Sequence, residues 1–320
     1  MKRHDIIFVL ILSVLIPAFI LINAPKRSFG DVAEIQTQTM VSNNDLAVTH
    51  SIHVLLADGA VVQMELESYL TGVLLCEMPA DFEIEALKSQ AVVARTYALK
   101  RDLSRKKHVS AAVCTKANCC QGYISENDYL NNGGTKEDIE RIMLAVTETS
   151  GQVLTFAGSL IDATYFSCSG GRTEDALAVW GTDIPYLRSV ESPGEETATY
   201  YMDTITLSVD ELQSKLDVTL SGSADQWFNE TKHTSGGGVA SIIIGGKKFS
   251  GTEVRHKLGL RSTSFVMTAI GNRVIVTTKG FGHRVGMSQY GAEAMAISGK
   301  KYTEILSHYY SNTELIMYLP

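Results

Sequence analysis

The segment Glu83–Arg105 reads EIEALKSQAVVARTYALKRDLSR, and it carries the strongest helix pattern in the sequence. Residues three, four or seven positions apart share one side of a helix. On that side lie the apolar residues Ile84, Leu87, Ala91, Ala94 and Ala98. The segment therefore predicts a long helix with one face against a hydrophobic core.

Turn residues mark the elements that precede this helix. Ser51–Leu66 alternates between apolar and polar residues around Asp58-Gly59, which predicts a β-hairpin. Glu67–Cys76 predicts a short helix that ends before Met78-Pro79-Ala80-Asp81. Asp81 is the predicted N-cap of the long helix, because a short carboxylate can accept the first free N–H groups.

Beyond the long helix, short helices and hairpins alternate without an internal repeat. Residues 107–134 have a loop-like sequence, and residues 172–200 are irregular. The predicted helices are Asp138–Thr149, Ser208–Leu216, Thr252–Leu258, Ala292–Ser298 and Tyr302–Tyr309. The predicted β segments are Gln152–Cys168, Thr234–Gly251 and Phe265–Thr278, the last a hairpin around Gly271-Asn272. This mixture predicts an α+β fold, with helices and antiparallel hairpins around a cleft and a smaller protruding subdomain over about residues 195–235.

The N-terminus carries an apolar run, Ile6–Ile22, behind two basic residues. Such a run suits a short membrane helix or a long signal-peptide core. A cut after Ala24 would place Pro25 next to the cleaved bond, so an uncleaved anchor is favoured over a removed signal peptide. The predicted layout is a cytoplasmic segment 1–5, an anchor (or signal peptide) 6–24, a linker 25–49 and an extracytoplasmic domain 50–320.

Composition narrows the class of partner. The chain has 320 residues, 45% of them hydrophobic and 20% charged, with a net charge of −7. A nucleic-acid-binding protein normally presents a basic face, so the acidic balance argues against that function. A neutral sugar substrate is compatible with this negative net charge.

Glu77 is the first candidate for chemistry. It ends a hydrophobic helix, between Cys76 and Met78-Pro79. Apolar surroundings disfavour the charged form of a carboxyl and raise its pKa, which is what a general acid for glycoside cleavage requires. The alternative is a solvated carboxylate at a helix end, which the local pattern alone favours.

Two further groups of residues have a weaker claim. Lys88 and Arg95 lie seven positions apart on the long helix, so both face one side, as a substrate-binding stripe or as an ordinary solvated face. His283, Ser288 and Gln289 occupy a glycine-rich segment that allows close backbone approach. They are candidates for binding sugar hydroxyls, with a packed tight turn as the alternative.

The cysteines form a third kind of pattern. The chain has five of them, an odd number that fits a pure disulfide framework poorly. Five residues separate His108 from Cys114, and five separate Cys114 from Cys120, with Cys119 alongside. Thiolates with one imidazole suit Zn²⁺, while a Cys114–Cys120 disulfide and free thiols remain open.

Five segments in order resemble the sporulation protein D family, also called the SpoIID/LytB domain family. Together they run from about residue 50 to the C-terminus. The matching segments are Leu75–Pro79, Glu85–Tyr97, Tyr165–Glu174, Gly251–Ser262 and Gly282–Ala292. No single one of them is specific, but their order and spacing are.

The resemblance implies a lytic transglycosylase that cleaves between MurNAc and GlcNAc in peptidoglycan and leaves a 1,6-anhydro-MurNAc end. It implies that Glu77 is the acid and that Lys88 and Arg95 match basic residues linked with activity. We also expect Ser169, His283, Ser288 and Gln289 to bind substrate. His108, Cys114 and Cys120 resemble the structural zinc site of clostridial members, and the choice between Cys119 and Cys120 stays open.

The resemblance also implies where the protein acts and with which partners, and three alternative functions compete with the transglycosylase. The expected setting is engulfment during endospore formation, with a single-pass protein in the septal and engulfing membranes that acts on peptide-denuded glycan. The expected partners are stage II sporulation protein P, which removes stem peptides, and the membrane protein stage II sporulation protein M. The rivals are a non-catalytic amidase enhancer, a zinc hydrolase, and a structural component of the engulfment machinery.

Overall fold

The computed structural model describes residues 50–105 and 107–318. The predicted cytoplasmic segment, membrane anchor and linker, residues 1–49, lie outside the described residues. Within the described ranges, no helix is both long enough and apolar enough to cross a bilayer.

The elements alternate between short strands and helices along the chain. The helices are α1 (Leu66–Glu77), α2 (Ile84–Ser104), α3 (Glu126–Asn131), α4 (Lys136–Glu148), α5 (Ala176–Trp180), α6 (Val209–Leu216), α7 (Gly251–Leu258), α8 (Gln289–Ile297) and α9 (Tyr302–Tyr309). The strands are β1 (Ser51–Leu55), β2 (Val61–Glu65), β3 (Val113–Cys114), β4 (Gln152–Phe156), β5 (Ser159–Leu160), β6 (Tyr165–Phe166), β7 (Met202–Ser208), β8 (Phe228–His233), β9 (Val239–Ile244), β10 (Lys247–Ser250), β11 (Ser264–Ile270), β12 (Arg273–Lys279), β13 (Met287–Ser288) and β14 (Glu314–Met317).

The long helix predicted from the sequence is α2, and it is the central element of the larger core. It contacts α1, α4, α8, α9 and β4, and its middle is buried on nearly every side. The predicted N-cap is wrong. Phe82 donates its N–H to Pro79 in a turn, and Glu83 accepts the first helical bond, from Leu87, so Asp81 lies too early to cap.

The α+β prediction is confirmed. The hairpins predicted around Asp58-Gly59 and Gly271-Asn272 are the antiparallel pairs β1–β2 and β11–β12. Two parallel pairs were not predicted. In the first, β3 lies beside β1. In the second, β6 lies beside β13, with Tyr165 opposite Met287 and Phe166 opposite Ser288. This short pairing joins the middle of the chain to the glycine-rich segment near its end.

A second, smaller hydrophobic core lies apart from the one around α2. Its buried residues run from Leu212 to Val276 and come from α6, α7 and the sheets β10-β9-β8 and β11-β12-β7. The sequence placed a subdomain over about residues 195–235. The second core extends further along the chain than that, because β9 to β12 supply most of its apolar side chains.

Candidate functional site

A cavity of about 660 Å³ opens where segments from distant parts of the chain meet. Glu77 enters it from the end of α1, and His283 and Gln289 enter it from the glycine-rich segment. The side chains that line it include Tyr97, Arg101, Lys107, Tyr165, Trp180 and Phe281. Three of the residues singled out in the sequence are therefore brought to one place.

Glu77 is fixed in this cavity by its neighbours on both sides. It is the last residue of α1, and the extended backbone of Met78 turns the chain away. Its Oε1 accepts the Gly122 N–H at 2.5 Å. Its main-chain oxygen accepts a bond from Gln289 Nε2 at 3.1 Å. The acid is thus held between the loop that contains Cys119, Cys120 and Gly122 and the start of α8.

Burial raises the pKa of the Glu77 carboxyl, because the charged form loses water. Hydrogen bonds from the Gly122 N–H and the Tyr165 hydroxyl act in the opposite direction, but the net shift is upward. The neutral form of Glu77 is therefore favoured compared with an exposed glutamate. This is the electrostatic requirement for a proton donor.

Gly122 approaches Glu77 so closely that a side chain has no room there. A Cβ at this position would lie 2.8 Å from Cys76 Sγ and 2.9 Å from Glu77 Oε1. A Gly122→Ala variant should displace the carboxylate and lower any activity that depends on Glu77 by more than about tenfold, since small misplacements of reacting groups are costly. Turnover measured per folded protein checks this.

The matched control is Gly134→Ala, whose Cβ would press on the Tyr129 ring instead. Gly134 does not line the cavity. If both alanine variants lost activity equally, the effect would be general destabilisation and not displacement of Glu77.

His283 lines the cavity as a neutral imidazole. Its Nδ1 accepts the Val285 N–H at 3.1 Å, so the ring proton is carried by Nε2. Burial, reinforced by the charge of Arg255, lowers the pKa of His283 to about 4. The ring packs between Phe166 and Trp180, with centroids 5.6 and 5.4 Å away. The imidazole is therefore fixed in place and uncharged at neutral pH.

Ser169 and Ser288 lie outside the cavity lining, in a buried network around Glu195. Both serine hydroxyls donate to the Glu195 carboxylate, at 2.8 and 2.5 Å. The N–H groups of Ser169 and Gly170 and the Ser192 hydroxyl also donate to it. The sequence did not identify Glu195, because it stands in an irregular stretch without a pattern. Its role here is to tie the Ser169 turn to the start of α8.

Lys88 and Arg95 also lie away from the cavity. Arg95 has no exposed side-chain surface, and its guanidinium binds the Glu67 carboxylate at 2.6 Å. Lys88 pairs with Glu148 at 2.5 Å and with Glu85 at 3.3 Å. Both helix cations are thus held by acidic neighbours in the core around α2, and neither is placed to touch a substrate in the cavity.

A buried ion pair stands behind the glycine-rich segment. Arg284 Nη1 lies 3.2 Å from Glu174 Oε1, and the two side chains are 2% and 0% exposed. The remaining guanidinium groups donate to the carbonyls of Ser169, Arg172 and Gly236. Arg284 thereby fixes the backbone next to His283.

A separate cluster could hold a metal ion beside the cavity. The ligand atoms of His108, Cys114, Cys119 and Cys120 all lie within 4.8 Å of one another. His108 Nε2 is 3.3 Å from Cys120 Sγ and 3.9 Å from Cys119 Sγ. The sequence left open whether Cys119 or Cys120 binds the metal. In the structure both thiols belong to the cluster.

The cavity and the cluster are found in a chain with recognisable relatives. The family model for the stage II sporulation protein SpoIID matches residues 58–156. Stage II sporulation protein D of Bacillus amyloliquefaciens is 41% identical over 260 residues, which cover 80% of this chain and 75% of that protein. The chain belongs to the SpoIID family. The resemblance inferred from five sequence segments is confirmed.

Two more relatives indicate which kinds of protein resemble this chain. Stage II sporulation protein D of Bacillus subtilis (strain 168) is 40% identical over 263 residues, which cover 81% of this chain and 76% of that protein. The amidase enhancer of the same strain is 32% identical over 306 residues, which cover 78% of this chain and 40% of that protein. The SpoIID assignment thus points to sporulation, and it leaves an enzyme and an enhancer to be distinguished.

Proposed function

We propose that the chain is a lytic transglycosylase that cleaves the MurNAc–GlcNAc bond of peptidoglycan glycan strands, with Glu77 as general acid and base. The observation that carries this proposal is the Glu77 carboxyl, whose pKa is raised in a cavity of about 660 Å³. Sporulation, the role that the SpoIID family indicates, is the setting.

The set of acids in the cavity favours this reaction over ordinary hydrolysis. A glycosidase of the usual kind needs two carboxyl groups at the scissile bond. Among the described residues that line the cavity, Glu77 is the one acid. A reaction whose nucleophile belongs to the substrate needs only one.

In the proposed mechanism, neutral Glu77 donates its proton to the glycosidic oxygen as the bond to the anomeric carbon breaks. The 6-hydroxyl of the same MurNAc forms the new bond to that carbon and gives its proton to the Glu77 carboxylate. Glu77 is restored, and the products are a 1,6-anhydro-MurNAc end and a free GlcNAc 4-hydroxyl. The neutral imidazole of His283 lines the same cavity and adds no second acid to it.

The four-residue cluster fits a zinc ion with a structural role. Three thiolates and one imidazole would supply the four protein ligands typical of a structural zinc site and would leave no position for a catalytic water. The ion would be held by His108, Cys114, Cys119 and Cys120, one ligand more than the resemblance implied. Cys120 is two residues from Gly122, whose N–H binds Glu77. We therefore propose that zinc holds the loop that orients the acid and takes no part in the chemistry.

Removal of this metal should lower stability more than it changes the reaction. A Cys114→Ser variant should lose stoichiometric zinc and melt at a lower temperature, while glycan cleavage continues at a reduced rate. Elemental analysis and thermal unfolding measure both. Cys168→Ser is the control, because Cys168 lies outside the cluster. Complete loss of cleavage in a chelated protein that stays folded would favour the zinc-hydrolase alternative.

The activity should fall as the pH rises through the pKa of Glu77. The acid must be protonated to donate, and burial raises its pKa above the ordinary value of about 4.3. The alkaline limb of kcat/KM should therefore lie at a higher pH than that value. His283 adds no limb near neutrality, because its pKa is lowered to about 4. A limb at or below the ordinary glutamate value would contradict the assignment of Glu77.

The test of the function is product analysis with purified ectodomain and peptide-free glycan strands. Release of 1,6-anhydro-MurNAc ends, seen by mass spectrometry, is the expected result. The similarity to the amidase enhancer makes a non-catalytic wall-binding protein the second candidate. That candidate is favoured if the protein binds the strands, leaves them intact and stimulates a separate amidase.

The remaining parts of the proposal concern the setting. We propose that the chain acts at the engulfing membranes, held by its N-terminal segment, on strands stripped by stage II sporulation protein P and in company with stage II sporulation protein M. The SpoIID family membership supports a sporulation setting. Fractionation of sporulating cells and crosslinking to the two partners would test the placement.

A further inference from the structure

Three exposed aromatic residues gather in and beside the cavity. Trp180 and Phe281 line it, and they are 42% and 38% exposed. Tyr200 is 37% exposed and lies outside the lining, with its ring centre 5.2 Å from that of Phe281. In the described part of the chain, no other Phe, Tyr or Trp is exposed to this degree. We call Trp180, Phe281 and Tyr200 the aromatic strip. Exposed apolar surface that is concentrated in one place indicates a binding surface.

The backbone fixes the outer end of the aromatic strip. The N–H of Gly280 donates to the carbonyl of Tyr201 at 2.8 Å, and the N–H of Gly282 donates to the carbonyl of Arg261 at 3.0 Å. These two bonds lie on either side of Phe281 in the sequence. They tie the glycine-rich segment to the two segments of the chain that carry Tyr200 and Arg261.

The Tyr200 ring is also held by a cation. The guanidinium carbon of Arg261 lies 4.8 Å from the centre of the Tyr200 ring and 5.8 Å from that of Phe281. Asp203 holds the guanidinium in turn, with its carboxylate 3.2 Å from Arg261 Nε. Stacking of a guanidinium on aromatic rings restricts the freedom of both partners. A surface that is ordered before binding loses less entropy when a ligand arrives.

The position of the aromatic strip favours a sugar as its ligand. A glycan strand is much longer than the cavity, so the sugars next to those beside Glu77 must leave across its rim. Phe281 lies on that rim, in contact with Tyr200 outside it. The C–H groups of a pyranose form an apolar face, and an aromatic ring offers a flat apolar surface to pack against it. The surface outside the cavity is therefore continuous with the place where the strand is cleaved.

We propose that Tyr200 forms a sugar-binding subsite outside the cavity, in which its exposed ring surface packs against a pyranose of the strand. This inference rests on the proposed function, because it takes a glycan strand as the ligand. Arg261 and Phe281 are positioning residues for the Tyr200 ring. The subsite holds the strand at a second point, so the affinity should increase once a strand is long enough to reach from Glu77 to Tyr200.

The experiment measures affinity as a function of strand length. The probes are peptide-free glycan oligosaccharides of one to four disaccharide units. Binding is measured by calorimetry with the full-length chain that carries Glu77→Gln, so that the strands stay intact. Tyr200→Leu, which removes the flat ring but keeps an apolar side chain, and Tyr200→Phe, which keeps the ring, are added to this background.

The matched control is Ile270→Ala. Ile270 is 59% exposed and pairs with Arg273 beside the turn between β11 and β12. Phe281 follows the opposite end of β12, so the control removes exposed apolar surface from the same part of the chain but far from the aromatic strip.

We expect the parent to bind the longest strands about 3- to 10-fold more tightly than the shortest, the effect of about one aromatic contact. Tyr200→Leu should abolish this gain, while Tyr200→Phe and Ile270→Ala should keep it. Three results would each overturn the inference: no gain with length in the parent, an equal gain in Tyr200→Leu, or a loss of the gain in Ile270→Ala. The aromatic strip would then be a surface for a ligand other than glycan.

The outcome is separable from that of the proposed function. A wild-type protein that releases anhydro ends, with a gain in affinity that does not depend on Tyr200, would keep the function and remove the subsite. A protein that shows the Tyr200-dependent gain but releases no anhydro ends would keep the subsite and remove the enzyme.

Discussion

A Glu77→Gln variant is expected to release no detectable 1,6-anhydro-MurNAc ends from peptide-free glycan. Glutamine has the size of glutamate but no proton to give, and a positioned general acid contributes about 10²- to 10⁴-fold to a rate. The fold should persist. The amide oxygen can still accept the Gly122 N–H, and the bond from Gln289 goes to the main chain of residue 77. Mass spectrometry of the products and the thermal midpoint are the two measurements.

The matched control for this result is Glu83→Gln. Glu83 lies six positions away, is exposed, and makes no capping bond with its side chain. Its loss should leave the rate of cleavage unchanged. If the Glu77→Gln protein formed product at the wild-type rate, Glu77 would not be the acid, and the proposed mechanism would fail with it.

The largest effect on stability is expected for Arg284→Met. The substitution leaves the Glu174 carboxylate buried without its cation, and it removes the donors to the carbonyls of Ser169, Arg172 and Gly236. Breaking a buried ion pair from one side costs about 3–5 kcal/mol. The free energy of unfolding, measured by chemical denaturation, should fall by that amount.

Arg172→Met is the comparison, because Arg172 pairs with Glu191 on the surface at 2.8 Å. Exposed pairs contribute about 0–1 kcal/mol, so this change should be small. If Arg284→Met proves too unstable to purify, the double variant with Glu174→Gln should recover part of the loss by removing the unpaired charge. Equal effects at Arg172 and Arg284 would show that the buried pair has no special importance.

The sequence predicted most elements of the fold because their signals are local. The period of α2, the turn at Asp58-Gly59 and the turn at Gly271-Asn272 are each contained in a few neighbouring residues. The pairing of β6 with β13 was not predictable, since two-residue strands carry no alternation to recognise. The extent of the second core was not predictable for a similar reason. Its strands pair with one another, and that partner choice does not appear in any single segment.

The candidate site was predicted in part, and its errors share a cause. Residue type and spacing singled out Glu77 and the cysteine cluster as candidates, and the structure places Glu77 in the cavity and brings the cluster residues together. Residue type and spacing did not show that Arg95 is buried against Glu67, because the partner lies on another helix. They also did not show that Ser169 and Ser288 serve Glu195. In each case a polar residue was taken to face a ligand when its partner was elsewhere in the chain.

The hydrogen bond between Gln289 and Glu77 joins residues 212 positions apart. Proteins are synthesised from the N-terminus, and early segments can fold before late ones exist. A growing chain therefore carries Glu77 long before it has His283 and Gln289, which also line the cavity. The cavity is one of the last features to form during biosynthesis, and a fragment that stops before α8 has the acid without a complete place for its substrate.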